Sequence, residues 1–314
     1  MAGKIIVRTM NVGMCNQLFT YAYARYMAEQ EQMELYLDYS HISEADMKHQ
    51  ADYQHALGHF SLKHDGILLT GEDYEKVTGK TGKRFEAMLE PWYIRKRNRL
   101  QRLLDLEENH QERLVKQGRI LNLSVERKNP GPEQLKADTN ILYGYWQVPR
   151  YARAMEETLK REIVEESGIL EKYWAYAKRL RQPESVCVHI RRGDYIGNGM
   201  HEVCTEQYYL EAMEQYRRKL DNPHFFLFSD DKPYVMERYC KNASDTELCE
   251  IAEHDYEELV LMSLPKHLVL SNSSFSWWAQ LLGGSRDVIA PSRWYGVADK
   301  KSLLYEDFWQ TIRV

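Results

Sequence analysis

The sequence predicts an α/β protein in which two Rossmann-like domains, each with its own helix-covered parallel sheet, face each other across a cleft. Three observations carry this prediction. The first forty residues fit a strand, a helix and a strand, the second half alternates short apolar strands with helices, and a chain of 314 residues can form two cores. Short apolar strands separated by helices are typical of parallel sheets that are buried on both faces.

The first strand–helix–strand unit begins close to the first residue of the sequence. Lys4–Thr9 is a β-branched run, a loop containing Gly13 follows, and Leu35–Asp38 is the second strand. We expect Asn16 to cap a helix from residue 17 to about residue 33. The unit has roughly the 30 residues that a βαβ motif needs.

The segment from about 41 to 135 is charged, and it indicates a variable helical insert within an N-terminal domain of residues 1–175. Residues 95–117 fit an amphipathic helix, and the basic side chains at 95–102 would suit a peripheral contact with anionic lipid. A solvated helix face with i,i+4 ion pairs is the simpler interpretation of the same charges. The C-terminal domain takes residues 176–314.

The C-terminal domain has the clearer pattern. Polar groups follow three of its strands, at Arg191–Asp194, Ser229–Asp231 and Ser271–Ser274. Because the carboxyl ends of parallel strands meet at one edge, these groups would converge on one rim, where ligands bind in such sheets. The predicted strands are Val186–Ile190, Phe225–Phe228, Cys249–Ala252, Leu268–Leu270 and Val288–Ala290, and the predicted helices are Thr205–Leu220, Pro233–Cys240, Asp255–His267 and Phe275–Leu282.

Composition excludes several classes of protein. A formal net charge of −5 argues against a general nucleic-acid binder, which usually carries a strongly basic domain. The five cysteines are scattered, with no C-x-x-C pair, so we expect reduced thiols and no zinc knuckle. The sequence begins without a signal-like apolar run, and no run approaches the ~18–20 residues that span a bilayer. We therefore expect a cytoplasmic protein.

The strongest group of candidate site residues lies in His189–Tyr195, of sequence HIRRGDY. A strand that ends in two arginines, a glycine and an aspartate places two permanent cations at the rim, and the arginine fork matches phosphate geometry. Strand alternation puts His189 and Arg191 on one face and Arg192 on the other. Arg191 is therefore the predicted phosphate ligand, and we expect Arg192 to pair with a neighbouring carboxylate.

This segment resembles the arginine motif of the α-1,2-fucosyltransferases. Three further segments support that family: NQLF at Asn16–Phe19, YGYWQ at Tyr143–Gln147 and SNSSFSWW at Ser271–Trp278, with FLFSDD at 226–231 between the last two. The motifs are in the right order and extend from residue 11 to about residue 295. Several ordered motifs are far more specific than any one of them.

The resemblance implies a GT-B arrangement and an inverting, metal-independent transfer of L-fucose from GDP-fucose, with no cofactor. It implies a bacterial galactoside 2-α-L-fucosyltransferase that acts on the 2-hydroxyl of a terminal β-galactoside in a surface polysaccharide or an oligosaccharide. The strand-end acids agree with the absence of a metal, because Asp230 and Asp231 are adjacent and do not form the Asp-x-Asp that commonly holds a sugar-nucleotide cation.

The expected partners are a nucleotide-sugar donor and a glycan acceptor. Without a metal, Arg191 and donors at helix starts must neutralise the leaving GDP. The predicted catalytic residues are Arg191 and Asp194, and the predicted donor-binding residues are His189, Arg191, Asn16, Gln17, Ser229, Asp230, Glu258, Asn272, Ser273, Ser274 and Phe275.

Four assignments leave alternatives open. Glu258 is the match for a guanine-binding acid, yet Asp255 and Glu258 also have capping-box spacing. Ser273 and Ser274 could bind the donor, cap the following helix, or do both. His189 could lie near the nucleotide or be a satisfied core residue. Asp194 is the nearest motif carboxylate to act as a base, and it could equally orient an arginine.

The sequence departs from the family at Cys15, which stands where the second glycine of Gly-x-Gly-Asn-Gln is usual, so a backbone of positive φ becomes harder there. One rival interpretation is a fucosyltransferase of another linkage, such as α-1,6. Another is a non-catalytic sugar-binding protein of the same fold, which would be expected to lose Arg191.

Overall fold

The computed structural model of the chain describes residues 3–8, 13–41, 56–89, 107–122, 134–297 and 300–314. The residues form two compact units, Met1–Met155 and Glu156–Val314, called unit 1 and unit 2 below. Both units consist of a parallel sheet with helices, so the predicted α/β class with two Rossmann-like domains is confirmed.

Within the described residues, unit 1 contains a five-stranded parallel sheet in the order β3-β2-β1-β5-β4. The order reverses direction between β1 and β5. The strands are β1 Lys4–Arg8, β2 Glu34–Asp38, β3 Gly66–Leu68, β4 Arg119–Asn122 and β5 Thr139–Gly144, and the helices are α1 Met14–Glu31, a 3₁₀ turn Ala56–His59, α2 Gly71–Leu89, α3 Glu107–Lys116 and α4 Pro149–Ala154.

The first strand–helix–strand unit forms as predicted, with β1 parallel to β2. Asn16 is not the helix cap, because α1 already begins at Met14 and Gly13 is its N-cap residue. The helix starts early because Met14 and Cys15 are buried, and burial of their side chains draws the backbone into the first turn.

Part of the segment predicted as a helical insert contributes strands to the sheet of unit 1. β3 lies at one edge and β4 at the other, with three and four residues respectively. Edge strands this short carry little apolar periodicity, which is why the sequence did not reveal them. The basic positions 95–102, proposed for a lipid contact, lie outside the described residues.

Unit 2 contains, among its described residues, a six-stranded parallel sheet in the order β11-β10-β9-β6-β7-β8. Counted from its own first strand, this is the 3-2-1-4-5-6 order of the Rossmann fold. The strands are β6 Ser185–Ile190, β7 His224–Ser229, β8 Thr246–Leu248, β9 His267–Val269, β10 Asp287–Pro291 and β11 Gln310–Ile312.

The helices of unit 2 cover a sheet whose central strands are buried. Every residue of β6 is buried, which is the pattern of a strand covered on both faces. The helices are α5 Glu156–Lys160 with a π turn Arg161–Glu165, α6 Ile169–Lys172, α7 Trp174–Leu180, α8 Glu206–Lys219, α9 Lys232–Val235 with a π turn Met236–Cys240, α10 Asp255–Met262 and α11 Ser274–Gly283.

The division between the units falls at Met155, earlier than the predicted boundary at residue 175. The helices after Met155 belong to unit 2 because their polar side chains bind there. Tyr173 donates to a carboxylate oxygen of Glu257 at 2.9 Å, and Lys172 pairs with the other oxygen at 2.7 Å.

Three predicted elements in unit 2 need correction. α10 ends at Met262 and not at His267, since Pro265 cannot continue a helix and disfavours helical backbone before it. The strand predicted at Cys249–Ala252 is wrong, because β8 is the more polar segment Thr246–Leu248. β11 was not predicted, and only one of its three residues is buried.

The packing of α11 against α10 depends on a glycine. A Cβ atom on Gly283 would lie 2.0 Å from the carbonyl oxygen of Ser263, so the two helices meet there without a side chain between them. The next residue, Gly284, ends α11 with a φ of 65°, a conformation that glycine adopts without strain. The two consecutive glycines thus have different roles: Gly283 allows the helices to pack closely, and Gly284 ends α11.

Two further observations bear on the whole chain. All five cysteines are free thiols, as expected. Among the helices that the structure describes, none combines the length and the apolar character needed to cross a membrane.

Candidate functional site

The predicted rim residues of unit 2 lie where its strand order changes direction, between β6 and β9. β7 and β8 lie on one side of β6, and β9, β10 and β11 lie on the other. At such a point the connections leave in opposite directions and open a crevice beyond the carboxyl ends of the strands. Arg191 follows β6 and Ser271 follows β9 closely, so both belong to this edge.

Arg191 is held at this edge by two carboxylates. Its Nη2 lies 2.6 Å from Oδ1 of Asp194, and its Nη1 lies 3.0 Å from Oδ2 of Asp230. The side chain is 27% exposed, so the guanidinium is anchored but still open to a ligand. The guanidinium also lies over the ring of Tyr195, 5.4 Å from its centroid.

Arg192 points elsewhere, as the strand alternation predicts. Its Nε pairs with Oδ2 of Asp231 at 2.9 Å, and its guanidinium carbon lies 3.3 Å from the ring centroid of Tyr234. Arg192 therefore joins the end of β6 to the start of α9, while Arg191 is left at the rim.

Asp230 connects the ends of β6 and β7. Besides pairing with Arg191, its Oδ1 accepts the backbone N–H of Arg192 at 2.9 Å. A Cβ atom on Gly193 would come within 2.3 Å of Asp230 Oδ2, so this close approach requires the glycine of the RRGD segment. Asp230 supports Arg191, and its predicted direct contact with the donor stays a prediction.

Asp194 stands in a 3₁₀ turn, Gly193–Tyr195, at the outer side of Arg191. Its side chain is 69% exposed, in contrast to 26% for Asp230. Asp194 therefore pairs with Arg191 from an exposed position, and its predicted catalytic role stays a prediction.

His189 is a buried residue in the interior of unit 2. Its Nδ1 lies 2.5 Å from the hydroxyl of Ser276 and 2.8 Å from the hydroxyl of Ser271. Burial, assisted by the charge of Arg191, lowers the pKa of His189 to about 3, so the ring stays neutral at physiological pH. These contacts fit a satisfied core residue that fixes the loop after β9 from within, and the predicted donor contact of His189 stays a prediction.

Ser229 and Asn272 are buried, and their side chains bond to the protein. The Ser229 hydroxyl donates to the carbonyl oxygen of Ile190 at 2.7 Å and accepts the N–H of Asp231 at 3.0 Å. The Asn272 amide donates at 2.9 Å to the carbonyl oxygens of both His201 and Trp294. Both side chains therefore shape the loops of the rim, and their predicted direct contact with the donor stays a prediction.

Ser273, Ser274 and Phe275 lie at the start of α11. Ser273 is the N-cap, and its hydroxyl accepts the N–H of Phe275 at 3.2 Å. Ser274 and Phe275 are partly exposed in the first turn. The first-turn N–H groups of a helix attract anions, so capping and donor binding remain compatible here.

Glu258 is not part of the capping box that its spacing suggested. α10 begins one residue earlier than that box requires, so Glu257 accepts the N–H groups of Glu253 and His254, at 2.9 and 3.1 Å. Glu258 is thereby released for another contact, and it pairs with Lys232 Nζ at 3.0 Å. Burial raises the pKa of the Glu258 carboxyl, although Lys232 opposes that change.

Unit 1 has a neutral group at the corresponding edge of its own sheet. The side-chain amide of Gln147, which follows β5, donates to Oδ1 of Asn16 at 2.6 Å. Asn16 is partly exposed, whereas Gln17 is buried, and the predicted donor contacts of both residues stay predictions. Cys15 takes an ordinary place in the first turn of α1, and it does not need a positive φ.

Several residues at the rim of unit 2 were not predicted. Lys232 and Tyr234 engage Glu258 and Arg192. The ring of His201 lies near those of Tyr195 and Tyr295, with centroids 5.1 and 5.9 Å apart. For Lys232 and Tyr234 the signal was present, because both lie within three residues of the Ser229–Asp231 strand end. His201 lies in a loop without regular pattern, and nothing in the sequence singled it out.

The family model of glycosyl transferase family 11 matches residues 133–312, which is more than half of the chain and includes all of the rim described for unit 2. The chain belongs to glycosyl transferase family 11. The resemblance to α-1,2-fucosyltransferases predicted this membership, and it is confirmed.

Three curated relatives align with part of this family 11 chain. An α-1,2-colitosyltransferase of Escherichia coli is 36% identical over 48% of this chain and 55% of the relative. The O-antigen biosynthesis glycosyltransferase WbnK of Escherichia coli is 31% identical over 39% of this chain and 42% of the relative. A galactoside 2-α-L-fucosyltransferase of Caenorhabditis elegans is 28% identical over 53% of this chain and 45% of the relative. The alignments thus span about half the length of these relatives.

Solved structures agree with the fold of this family 11 chain. NodZ α-1,6-fucosyltransferase, co-crystallised with GDP, superposes with a TM-score of 0.56 over 93% of this chain and 96% of NodZ, at 13% identity. At that identity the similarity shows the fold, and the predicted GT-B-like class is confirmed.

Proposed function

We propose that this chain is an inverting glycosyltransferase that transfers L-fucose from GDP-fucose to the 2-hydroxyl of a terminal β-galactoside. The observation that carries the proposal is Arg191, a partly exposed arginine at the switch point of the unit 2 sheet, in a chain of family 11. A cation held at that place is suited to the diphosphate of a nucleotide sugar.

The reaction asks little covalent chemistry of the protein. The acceptor hydroxyl oxygen forms a bond to C1 of fucose while the bond from C1 to the β-phosphate oxygen breaks, and the hydroxyl proton is released. Negative charge grows on the departing GDP. Arg191 and the first-turn N–H groups of α11 supply fixed positive charge and dipoles for it, which lowers the barrier without reorganisation.

Glu258 is the proposed contact to guanine. Its ionised carboxylate would accept the N1–H and the exocyclic amine of the base, a pair of donors that pyrimidines do not offer together. Fold similarity to NodZ, which was crystallised with GDP, supports a guanine nucleotide. The named activity of the Caenorhabditis elegans relative supports fucose and the 2-hydroxyl of a galactoside.

Metal independence is part of the proposal. The three rim aspartates are paired with arginines, Asp194 and Asp230 with Arg191, and Asp231 with Arg192. Within the described ranges, no group of three or more His, Cys, Asp or Glu residues is arranged to hold a metal ion. We expect transfer to continue unchanged in excess EDTA, and a strict requirement for Mn²⁺ or Mg²⁺ would contradict this part of the proposal.

The same chemistry suits a second donor sugar, colitose, which is fucose without the hydroxyl at carbon 3. The 36% identity to an α-1,2-colitosyltransferase is the specific observation in its favour. Both sugars would meet the same Arg191 and Glu258 when carried on GDP, so the distinction lies in contacts to the sugar ring.

The experiment that tests the proposal is a transfer assay with GDP-fucose and GDP-colitose in separate and competing reactions, using a panel of β-galactosides. The linkage of the product is determined by NMR. We expect an α-1,2 linkage from GDP-fucose. A product of another linkage would contradict the proposed 2-hydroxyl specificity. A large preference for GDP-colitose would identify colitose as the donor sugar. No transfer across the panel would contradict the proposed acceptor class.

A further inference from the structure

The two carboxylates that hold Arg191 differ in how firmly they are themselves held. We propose that Asp230 is the positioning residue that keeps the guanidinium aimed at the donor diphosphate, and that Asp194 is an exchangeable counter-ion whose place the diphosphate takes. This inference rests on the proposed function, in which Arg191 binds the diphosphate of GDP.

Asp230 is fixed on several sides. Its Oδ2 pairs with Arg191 at 3.0 Å, and its Oδ1 accepts the N–H of Arg192 at 2.9 Å. It lies so close to Gly193 that a Cβ there would approach Oδ2 to 2.3 Å. The preceding residue, Ser229, is buried and bonded to the end of β6. Asp230 cannot leave Arg191 without disturbing the join between β6 and β7.

Asp194, in contrast, is held only weakly. Its side chain is 69% exposed, and it meets Arg191 through one oxygen, at 2.6 Å from Nη2. An ion pair with an exposed carboxylate has little net stability, because water solvates the carboxylate well when the pair separates. Moving the Asp194 carboxylate into water therefore costs little and leaves the backbone of the turn in place.

The charge at the rim makes such an exchange necessary. A guanidinium between two carboxylates carries a local net charge of −1, which repels a diphosphate. Departure of Asp194 removes that excess charge and frees the Nη2 edge, while Nη1 stays on Asp230. A guanidinium has five N–H donors, so it can keep one carboxylate and still offer a fork of donors to phosphate oxygens.

The inference predicts opposite effects for two similar substitutions. Asp194→Asn should tighten GDP binding by about three- to fivefold, the order expected for loss of one exposed competing charge. Asp230→Asn should weaken it by about 10- to 100-fold, the order expected for a charged hydrogen bond that orients a ligand group. Guanosine, which lacks phosphate, should bind both variants as it binds the wild type.

The test measures the dissociation constant for GDP by calorimetry and guanosine binding by saturation-transfer NMR. Asp245→Asn is the matched control, since Asp245 pairs with Arg217 at 2.7 Å in the same unit, with 32% of the side chain exposed, close to the 26% of Asp230. We expect the control to bind both ligands normally. Guanosine binding separates a changed phosphate contact from a disturbed fold.

Two outcomes would overturn the inference. GDP affinity that falls in Asp194→Asn would show that Asp194 helps to bind the donor, and unchanged GDP affinity in Asp230→Asn would show that Arg191 needs no fixed partner. If Asp230→Asn loses guanosine as well, its fold has changed, and the Asp194→Asn result decides alone. Normal GDP binding by Arg191→Ala would instead contradict the proposed function, and with it this inference.

Discussion

The described sheets of the two units are both parallel and both reverse their strand order once, and they differ in what stands at their carboxyl edges. At the reversal between β6 and β9, unit 2 presents Arg191 between two aspartates, with Asp231 and Arg192 beside them. At the reversal between β1 and β5, unit 1 presents the amides of Asn16 and Gln147, bonded to each other. The fold fixes the position of a binding edge in both units, and the residues after the strands decide its chemistry.

The chemistry at each edge suits a different part of a sugar nucleotide. A fixed cation suits a diphosphate, whose charge needs neutralising. Neutral amides offer donors and acceptors without charge, which suits sugar hydroxyls. Next to Gln147 in the chain, the ring of Trp146 stacks on Tyr23 with centroids 4.2 Å apart, so aromatic packing supports the amides. Arg8 and Asp38, at the ends of β1 and β2, form a buried ion pair at the same edge.

The largest effect should come from Arg191→Ala, which removes the cation of the unit 2 edge. We expect turnover to fall by about 100- to 1,000-fold, the order seen when one fixed donor to a developing charge is lost. Steady-state transfer from GDP-fucose measures it. Arg217→Ala is the matched control, because Arg217 also pairs with an aspartate in unit 2 and is 32% exposed, against 27% for Arg191. Turnover close to the wild type in Arg191→Ala would show that the ionic edge is structural.

A smaller effect is expected from Glu258→Gln, which tests whether the same edge distinguishes nucleotides. GDP should bind about 10- to 100-fold more weakly, whereas the weak binding of UDP should change little. Because burial raises the pKa of Glu258 and only the ionised carboxylate accepts from guanine, wild-type affinity should decline on acidification, starting above the usual carboxyl range.

Calorimetry across pH measures both consequences for Glu258. Glu247→Gln provides the control, since Glu247 also pairs with a basic residue, Arg179, in unit 2. Equal losses for GDP and UDP would assign Glu258 to packing and would leave guanine recognition to other groups.

The smallest effect should come from the two amides at the edge of unit 1. Asn16→Ala and Gln147→Ala should each lower kcat/KM for GDP-fucose by about three- to tenfold, since a neutral hydrogen bond contributes about 1 kcal/mol. The double variant should be hardly worse than either single one, because the two amides bond to each other. The affinity for GDP alone should stay unchanged. A loss of GDP affinity would mean that the amides of unit 1 also contribute to phosphate binding, and the contrast between the two edges would fail.

Elements with strong periodicity or a sharp stop could be predicted from the sequence. The buried run of β6, the cap and glycine stop of α11, and the first strand–helix–strand unit all leave local signals. The edge strands β3, β8 and β11 do not, because a short edge strand is specified by its one neighbour. Local pattern likewise could not reveal that α5 to α7 pack with unit 2, since that depends on contacts such as Tyr173 with Glu257.

In the site too, features set by local sequence could be predicted, and features set by tertiary contacts could not. Strand alternation correctly separated Arg191 from Arg192, because the period of a strand is local information. Burial is not local, so the sequence did not reveal that the side chains of Ser229 and Asn272 hold loops together inside unit 2. The sequence predicted the capping box one residue too late, because the position of a helix start is uncertain by a residue or two. Glu257 therefore caps the helix, and Glu258 is left to contact other groups.

The absence of a side chain at Gly283 has a consequence for the far ends of the helices it joins. α10 carries Glu258 near its start, and α11 begins beside Ser273, so the meeting point at Ser263 and Gly283 helps to set how far apart these two groups stand. Any larger residue at Gly283 must wedge the helices apart. In the proposed binding mode, GDP contacts Glu258 through its base and the start of α11 through its phosphates, so its binding depends on that separation. A substitution at Gly283, although remote from the rim, should therefore weaken nucleotide binding.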